Sequence, residues 1–569
     1  MAHLLPSPLT LLTRGPRSIP WLTMFHACSS QSMAIVTAYD NLGESGVEHS
    51  LLQSKADAVF TDPNLLKVIG GPLTKAKTVR FLIYNEASNN REPGDEEEIG
   101  RFKADHPDLT VLSFGDLRAL GEAHPAPPVE PSPEDLCCIM YTSGSTGPPK
   151  GVPVTHATFV AAVAGLYNVV AGAVSHEEFV LAYLPLAHIF ELVLENLALF
   201  AGATLGYGSS RTLGPTSMRN CDGDMKTFRP TIMVGVPQVW ETVKKGIEAN
   251  VQSQNPILRT AFWAGVQLKS FLVRHNLPGA SLIDRYVFNK VSVMTGGRLR
   301  FIVNGASAIS DPTRQFMSMV VAPMLNGYGL TETCGNGAMG NPLQWKPGSA
   351  VGPVTAAVEV KLVSIPDLNY STDSSPPQGE ILIRGPAVIK EYFENPEETA
   401  KAITPDGWFR SGDIGQFEPD GHLAIIDRVK NLVKLQGGEY IALEKLEAIY
   451  LGSATVEQIM VHGDSGKPKP IGIVVVKDRQ VEKVAAGVGV GGSHDEMRKN
   501  AKVRAAVLKE LQGLAKKEGL KPIETISGVV LVDGPWDPKD GLVTATQKIN
   551  RKAVRERFAK EIKACMEGK

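Results

Sequence analysis

Four apolar runs in the middle of the chain end in glycine or proline: "EEFVLAYLP" (177–185), "TIMVGVP" (231–237), "LRFIVNGA" (299–306) and "PMLNGYG" (323–329). Each has the length of one buried strand and is too short for a buried helix. Segments of helical period separate them, such as "QVWETVKKGIEANV" (238–251), and "HATFVAAVAGLYNVVAGA" (156–173) precedes them. Strand, helix and strand in repetition bury their apolar sides as a mostly parallel sheet covered on both faces. Such sheets bind ligands at the carboxyl ends of their strands. The fold class is therefore α/β.

The same texture runs from Trp21 to about residue 115, where "SMAIVTAY" (32–39) and "ADAVFTD" (56–62) flank the helical "GESGVEHSLLQSK" (43–55). "NNREPGDEEEIGRFKADHPD" (89–108) reads as a charged surface insertion, and "EAHPAPPVEPSPED" (122–135) as an extended connector. From about 345 to 426 the pattern changes to a smaller antiparallel β region, carried by "AVEVKLVSI", "GEILIRG" and "GHLAIIDRV". Beyond it, "QIMVHG", "PIGIVVVK", "GVVLVDGP" and the charged helix "NAKVRAAVLKELQGLAKKEG" form a compact α+β unit. The boundary is expected near Asp427–Lys430, giving domains over 21–427 and 428–569. Residues 1–20, with four prolines and two arginines among leucine, serine and threonine, read as a disordered tail.

A chain of 569 residues holds two or more domains, and its net charge of -2 argues against nucleic-acid binding. The six cysteines are scattered, without metal spacing or a disulfide framework, which fits a reducing compartment. No apolar run approaches the roughly 20 residues that span a bilayer.

The loop "YTSGSTGPPKGV" (141–152) follows the apolar run "LCCIMY". A strand feeding a glycine-rich turn aims several backbone N–H groups at one point, a nest for an anion such as phosphate. The hydroxyls of Thr142, Ser143, Ser145 and Thr146 add donors, and Lys150 adds a point charge. Gly144 and Gly147 are only three apart and Gly151 follows the lysine, so this is not a Walker loop.

Four further clusters stand at strand ends or turns. "YLPLAHIFE" (183–191) sets His188 after a strand, and "NGYGLTETCG" (326–335) sets Thr331 and Glu332 after a glycine-rich strand end. "DGWFRSGDIG" (406–415) holds Asp413 in a turn, and "DRVKNLVKLQGGEYI" (427–441) crowds Arg428, Lys430 and Lys434 at the boundary. A histidine such as His188 is, alone, more often structural than catalytic. All five clusters in this order are a different matter.

Together they resemble the adenylate-forming, AMP-binding superfamily of acyl-CoA synthetases, luciferases and peptide-synthetase adenylation domains. Within it the chain is similar to the eukaryotic, fungal-type long-chain fatty acyl-CoA synthetases, a match that "TAYDNLGESGVEHSLLQSKADAVFTD" (37–62) supports. The resemblance implies a large N-terminal domain of stacked α/β subdomains and a β barrel, followed by a small mobile C-terminal domain. It implies that a fatty acid and ATP give acyl-AMP and pyrophosphate, and that CoA then takes the acyl group. The family carries a longer stretch before "TAYDNLG", so the resemblance also implies a chain truncated at its start, with apolar surface uncovered.

By this resemblance the 142–150 loop holds the β- and γ-phosphates, and Thr142 and Glu332 hold Mg²⁺. Thr331 contacts the α-phosphate, while Gly305, Ala306, Ser307, Gly327 and Tyr328 frame adenine. Asp413 accepts from the ribose hydroxyls with Arg428 assisting. His188 sits beside the reacting carboxylate, and Lys548 in "LVTATQKINRK" reaches that carboxylate and the α-phosphate. Lys430 is the hinge whose rotation exchanges Lys548 for the loop of Gly437 and Gly438, which admits the pantetheine arm. Trp240 is an acyl-tunnel candidate, with plain core as the other reading. The resemblance further implies the cytosol, or the cytosolic face of endoplasmic reticulum, lipid droplet or peroxisome, and is compatible with peripheral membrane association. A carrier-protein thiol in place of CoA and a truncated non-catalytic paralogue are the alternative readings.

Overall fold

The structure, a computed structural model, describes residues 10–568 apart from 15–17, 40–41, 89–92, 143–148, 215–217, 346, 349, 538–539 and 545–546. Its first sheet holds seven strands: β1 (Thr10–Arg14), β2 (Ala34–Ala38), β3 (Ala58–Thr61), β4 (Phe81–Tyr84), β5 (Thr110–Ser113), β6 (Leu136–Thr142) and β7 (Lys150–Thr155). Their order is β5-β4-β3-β1-β2-β6-β7. Neighbours run parallel except β6 and β7, which pair antiparallel on either side of the glycine loop. Every residue of β2 is buried, as expected of a strand covered on both faces.

For the described residues from Thr10 onward, the disordered tail expected over 1–20 is corrected. Thr10–Arg14 lies between β2 and β3 in the middle of the sheet, and Leu12 is 0% exposed. Ser18 then accepts from the Trp21 N–H and caps the helix Ile19–Ser29, which buries Trp21, Leu22, Met24, Phe25 and Cys28. A second correction concerns 89–108. Asp95–Asp105 is a helix with four acidic residues in its first turn, favourable beside the positive helix end. Its Ile99 and Phe102 pack into the core over the first sheet, so the segment is a covering layer and not an insertion.

The second sheet comprises β8 (Phe179–Ala182), β9 (Thr204–Tyr207), β10 (Ile232–Gly235), β11 (Phe301–Asn304), β12 (Met324–Gly329) and β13 (Gly337–Met339). Its order is β13-β12-β11-β10-β8-β9, parallel but for β13. Where a β barrel was expected, four antiparallel strands follow in the order β14-β15-β16-β17: β14 (Glu359–Val363), β15 (Gln378–Arg384), β16 (Phe409–Phe417) and β17 (Leu423–Arg428). Bridges Ala338–Val354 and Gly352–Leu423 link this sheet to β13.

Past Arg428, a turn at Val429–Asn431 leads to the hairpin β18 (Leu432–Lys434) and β19 (Tyr440–Ala442). A three-stranded sheet follows, β20 (Gln458–His462), β21 (Ile471–Val475) and β22 (Val529–Val532), against which the helix Ala501–Lys517 buries Val503, Val507, Leu511 and Ala515. The apolar cores separate along the chain between Ile425 and Val433. Polar contacts bridge them: from the helix Pro237–Gln252, Gln238 Nε2 donates to the Glu457 carbonyl at 3.0 Å and Lys245 Nζ to the Val456 carbonyl at 2.6 Å. Positions seven apart share one helix face, so a single face grips one loop of the second unit.

Because β1 is flanked on both edges, Leu12→Ala should destabilise the chain by about 2–5 kcal/mol, read as a lowered denaturant midpoint. A midpoint unchanged from the parent would mean that β1 does not sit within the sheet.

Candidate active site

The site is built at the carboxyl ends of β10, β11 and β12, where three chain reversals meet. The Gly305 N–H donates to the Gly235 carbonyl at 3.0 Å, and Asn304 of β11 stands in register with Asn326 of β12. A Cβ on Gly305 would lie 2.8 Å from the Phe190 ring, so only glycine lets the helix after His188 come this close. Ala306 follows at φ 69°, turning the chain away with Ser307. The side-chain oxygens of Asn304 and Asn326 are buried with no partner among the described residues. Two such acceptors on adjacent strands are suited to N–H donors of a planar heterocycle. They are a feature the motif reading passed over, although the paired Asn-Gly steps at two strand ends could have signalled it.

Asp413 is the hub of the site. It lies within β16, paired with Arg428 of β17, and not in the turn expected for it. Gly412 at φ 69° and a register shift after Ile414 give the stretch its turn-like composition inside a strand. Its carboxylate accepts from Arg428 Nε at 2.7 Å and from the Tyr328 hydroxyl at 2.8 Å. Burial and the Asp413 charge push the Tyr328 phenol well above its ordinary value, so it stays a donor. The Arg428 guanidinium is held charged by Asp413.

A second cluster surrounds Glu332, in the short turn Thr331–Thr333 that follows β12. Its Oε1 accepts from the Tyr392 hydroxyl at 2.7 Å. The Tyr392 ring lies 5.2 Å from Lys150 Nζ, and Lys150 also pairs with Glu398. Thr142 Oγ1 lies 3.5 Å from the Lys150 carbonyl. Hydrogen bonds from Lys150 and Lys401 hold Glu398 well down, to about 2. Tyr392 and Glu398 lie outside every motif read from the sequence. Ser143, Gly144, Ser145, Thr146 and Gly147 lie outside the described residues.

His188 and Lys548, far apart in the chain, complete the arrangement. His188 caps the helix Ile189–Phe200, its Nδ1 accepting from the Phe190 N–H at 3.2 Å. Burial, with the nearby Lys548 charge, pushes it down to about 3, so it is neutral at physiological pH. Lys548 sits on a tight hairpin: the Thr544 N–H donates to the Lys548 carbonyl at 2.7 Å, the Gln547 N–H returns to Thr544, and Gln547 adopts φ 62°. The lysine is open to solvent through the cleft yet ringed by protein atoms. That crowding, and next Arg428, lower its pKa, while Glu444, Asp413 and Glu332 pull the other way. Arg551, three residues on, is clamped by Glu447 through two bonds of 2.7 Å, fixing the hairpin to the helix Leu443–Tyr450.

Other expected residues lie elsewhere. Gly437 and Gly438 form the exposed tip of the β18–β19 hairpin, tied to its own unit by the Gln436 N–H to the Lys467 carbonyl. Lys430 is exposed in the turn after β17. Trp240 is 1% exposed, under Gly235, where a Cβ would meet its ring at 2.6 Å. It therefore touches the strand end that carries the cleft.

A two-unit α/β protein with converging cations and orphan acceptors at its strand ends belongs among nucleotide-handling enzymes. Residues 11–393 match the family model described as AMP-binding enzyme, and the chain belongs to that family. A palmitoyl-CoA ligase of Gibberella moniliformis is 47% identical over 97% of this chain and 81% of its own length. Long-chain-fatty-acid–CoA ligase 1 of Schizosaccharomyces pombe is 45% identical over the same shares, 97% and 81%. The adenylation domain of a Mycobacterium chelonae carboxylate reductase superposes with TM-score 0.80 at 24% identity, covering 99% of this chain and 81% of that one, and so shares the fold.

The residue before Arg428 is a buried carboxyl. Asp427 Oδ1 accepts from the Arg428 N–H, Oδ2 has no partner among the described residues, and burial raises the pKa to about 7. The folded state then binds this proton more tightly than the unfolded chain, where aspartate titrates near about 4, so stability falls as pH rises between the two values. Asp427→Asn should therefore stabilise the protein by on the order of 1–2 kcal/mol above about pH 8, with the gain vanishing near about pH 4. Thermal melts across that range check it, and a pH-independent difference would contradict it.

Proposed function

We propose that the chain is a long-chain fatty acid–CoA ligase that forms AMP. The reading rests on one observation above all: a lysine from the end of the chain, Lys548, stands in the same cleft as His188, Glu332 and the Asp413–Arg428 pair. An ammonium brought from a second unit into a cleft at strand ends suits a reaction between two anions.

In the first half-reaction a carboxylate oxygen attacks the α-phosphorus of ATP, and the bond from that phosphorus to the bridging oxygen of pyrophosphate breaks. Lys548 offsets the repulsion between carboxylate and phosphate as they approach. Thr331 donates to the α-phosphate, and the Thr142–Lys150 loop holds the outgoing phosphates, Lys150 leaving Glu398 for them. Asp413, paired with Arg428, accepts from the ribose hydroxyls. Tyr328, Gly327 and Gly305–Ser307 enclose adenine, whose amino group suits the Asn304 and Asn326 oxygens. Neutral His188 lines the carboxylate's approach without adding a charge that would hold it back.

Mg²⁺ fits this donor set. A single carboxylate, Glu332, with the Thr142 hydroxyl as a second oxygen ligand, would suit a cation that is bound through one or two protein oxygens plus phosphate. When bound it would neutralise phosphate charge. In the second half-reaction the sulfur of CoA attacks the acyl carbon, and the carbon–oxygen bond to AMP breaks. Rotation about Lys430 would withdraw Lys548 and bring in the hairpin of Gly437 and Gly438, along whose bare backbone the pantetheine arm can run. A carrier-protein pantetheine presents the same thiol, so the acceptor is the finest part of this reading. Trp240, beside the end of β10, borders the channel for the acyl chain.

Lys548→Ala should slow fatty-acid-dependent pyrophosphate exchange about 100- to 1,000-fold while sparing thioester formation from supplied acyl-AMP. Equal loss of both halves would refute its assignment to the first. Exchange assayed across acids of graded length should favour long chains, and a preference for acetate or aryl acids would overturn the substrate class.

A further inference from the structure

The helix Pro256–Arg274 is apolar on the side that faces water. Its inner face buries Phe262 and Gly265, the Phe262 ring packing on Phe288 and Phe316. Its outer face carries Ile257, Ala261, Ala264, Leu268 and Phe271, all exposed. Their spacing of four, three, four and three residues makes one continuous stripe along nearly four turns. Ile257 is 80% exposed, and Leu268 and Phe271 are 52% and 53% exposed. The next helix, Ala280–Tyr286, packs Ile283 towards Gly265 and leaves Leu282 and Tyr286 outside, 59% and 76% exposed. Among the described residues, half of the exposed large apolar side chains lie between Ile257 and Met294. Scattered exposed leucines need no explanation; a periodic stripe of them does.

Charge narrows the choice of what covers it. Residues 256–290 hold five lysines and arginines and one acidic residue, Asp284, which is paired with Lys269 at 2.5 Å. The chain as a whole has a net charge of -2, so this density is local. Arg285 lies against the Tyr286 ring at 5.7 Å, an aromatic and a cation side by side at the rim of the apolar surface. A second copy meeting the stripe would bring like charges together, which opposes a symmetric pairing. A lipid surface with anionic headgroups accepts both the apolar stripe and the positive rim. Among the described residues no helix is long and apolar enough to cross a membrane, so the association would lie in the plane of the interface.

We infer that the helix Pro256–Arg274, with the helix Ala280–Tyr286 beside it, is a docking surface for anionic membranes, its stripe of Ile257, Leu268 and Phe271 entering the headgroup region. The inference stands on the surface alone and holds or fails independently of the reaction proposed above. A protein docked there would take up acids dissolved in the bilayer without carrying them through water.

The test is cosedimentation of the full chain with phosphatidylcholine vesicles, with and without phosphatidylserine. The parent should pellet with the mixed vesicles and be released by salt, as screening weakens the positive rim. Leu268→Glu with Phe271→Glu should weaken binding about tenfold or more. Arg274→Glu with Lys290→Glu should do the same while leaving the apolar stripe intact, and it serves if the first pair fails to fold. Both pairs lie outside the cleft, so pyrophosphate exchange should persist, which separates loss of docking from loss of the enzyme. No vesicle binding by the parent, or equal binding by parent and both variants, would overturn the inference. So would a parent dimer in sedimentation velocity that both pairs render monomeric without any binding to vesicles.

Discussion

The carboxylate of Asp413 is where the parts of this protein are joined. It accepts from Tyr328 of the second sheet and from Arg428 at the end of the four-stranded sheet, at 2.8 and 2.7 Å. Arg428 is also the last residue before the turn from which the C-terminal unit departs. One ion pair, its carboxylate buried and its guanidinium partly exposed, thus ties β16 and β17 to Tyr328 just ahead of the turn to the second unit. Removing Arg428 would leave the Asp413 carboxylate uncompensated, at a cost that solvent at the guanidinium keeps below the roughly 3–5 kcal/mol of a fully buried pair. Neutral substitution at either residue would therefore disturb architecture and chemistry together.

Among the described residues, polar contacts hold the second unit against the first. Gln238 and Lys245 donate to two successive carbonyls, and Arg211 faces Asp537 at 3.5 Å. Such contacts can be exchanged for water at small net free-energy change, unlike the apolar cores on either side of the boundary. A seam of this kind separates readily and forms again in register. The helix that carries Gln238 and Lys245 also carries Trp240 against the end of β10, so the seam and the floor of the cleft share one rigid element.

Part of the candidate site was legible because phosphate and carboxylate chemistry needs particular residue types at strand ends, and strand ends announce themselves with glycine and proline. His188, Thr331, Glu332 and Arg428 stand in clusters of that kind, whereas Lys548, in a basic tail, was reached only through the family resemblance. What stayed hidden depends on three-dimensional pairing. "TLLTR" is short and mixed, and only the slot between β2 and β3 makes it a strand. Asp413 looked like a turn because Gly412 precedes it, whereas pairing with Arg428 keeps it extended. Ile99 and Phe102 are two apolar residues among many charged ones, yet two suffice to dock a helix on a sheet. Tyr392 and Glu398 carry no motif, since their role is to hold Glu332 and Lys150 from a neighbouring loop.

The same electrostatics suggests why the two units would exchange positions in the proposed order. In the cleft Lys548 is disfavoured as a cation by its surroundings and by Arg428, and favoured by Asp413, Glu332 and Glu444. A bound polyphosphate would tip this balance strongly towards the ammonium. Loss of pyrophosphate removes most of that negative charge, while adenylate formation consumes the carboxylate that Lys548 was opposing. What remains around the lysine is Arg428 set against Asp413, Glu332 and Glu444, with only the single charge of the acyl phosphate left on the substrate. In the proposed order, completion of the first half-reaction would thus weaken the hold on Lys548.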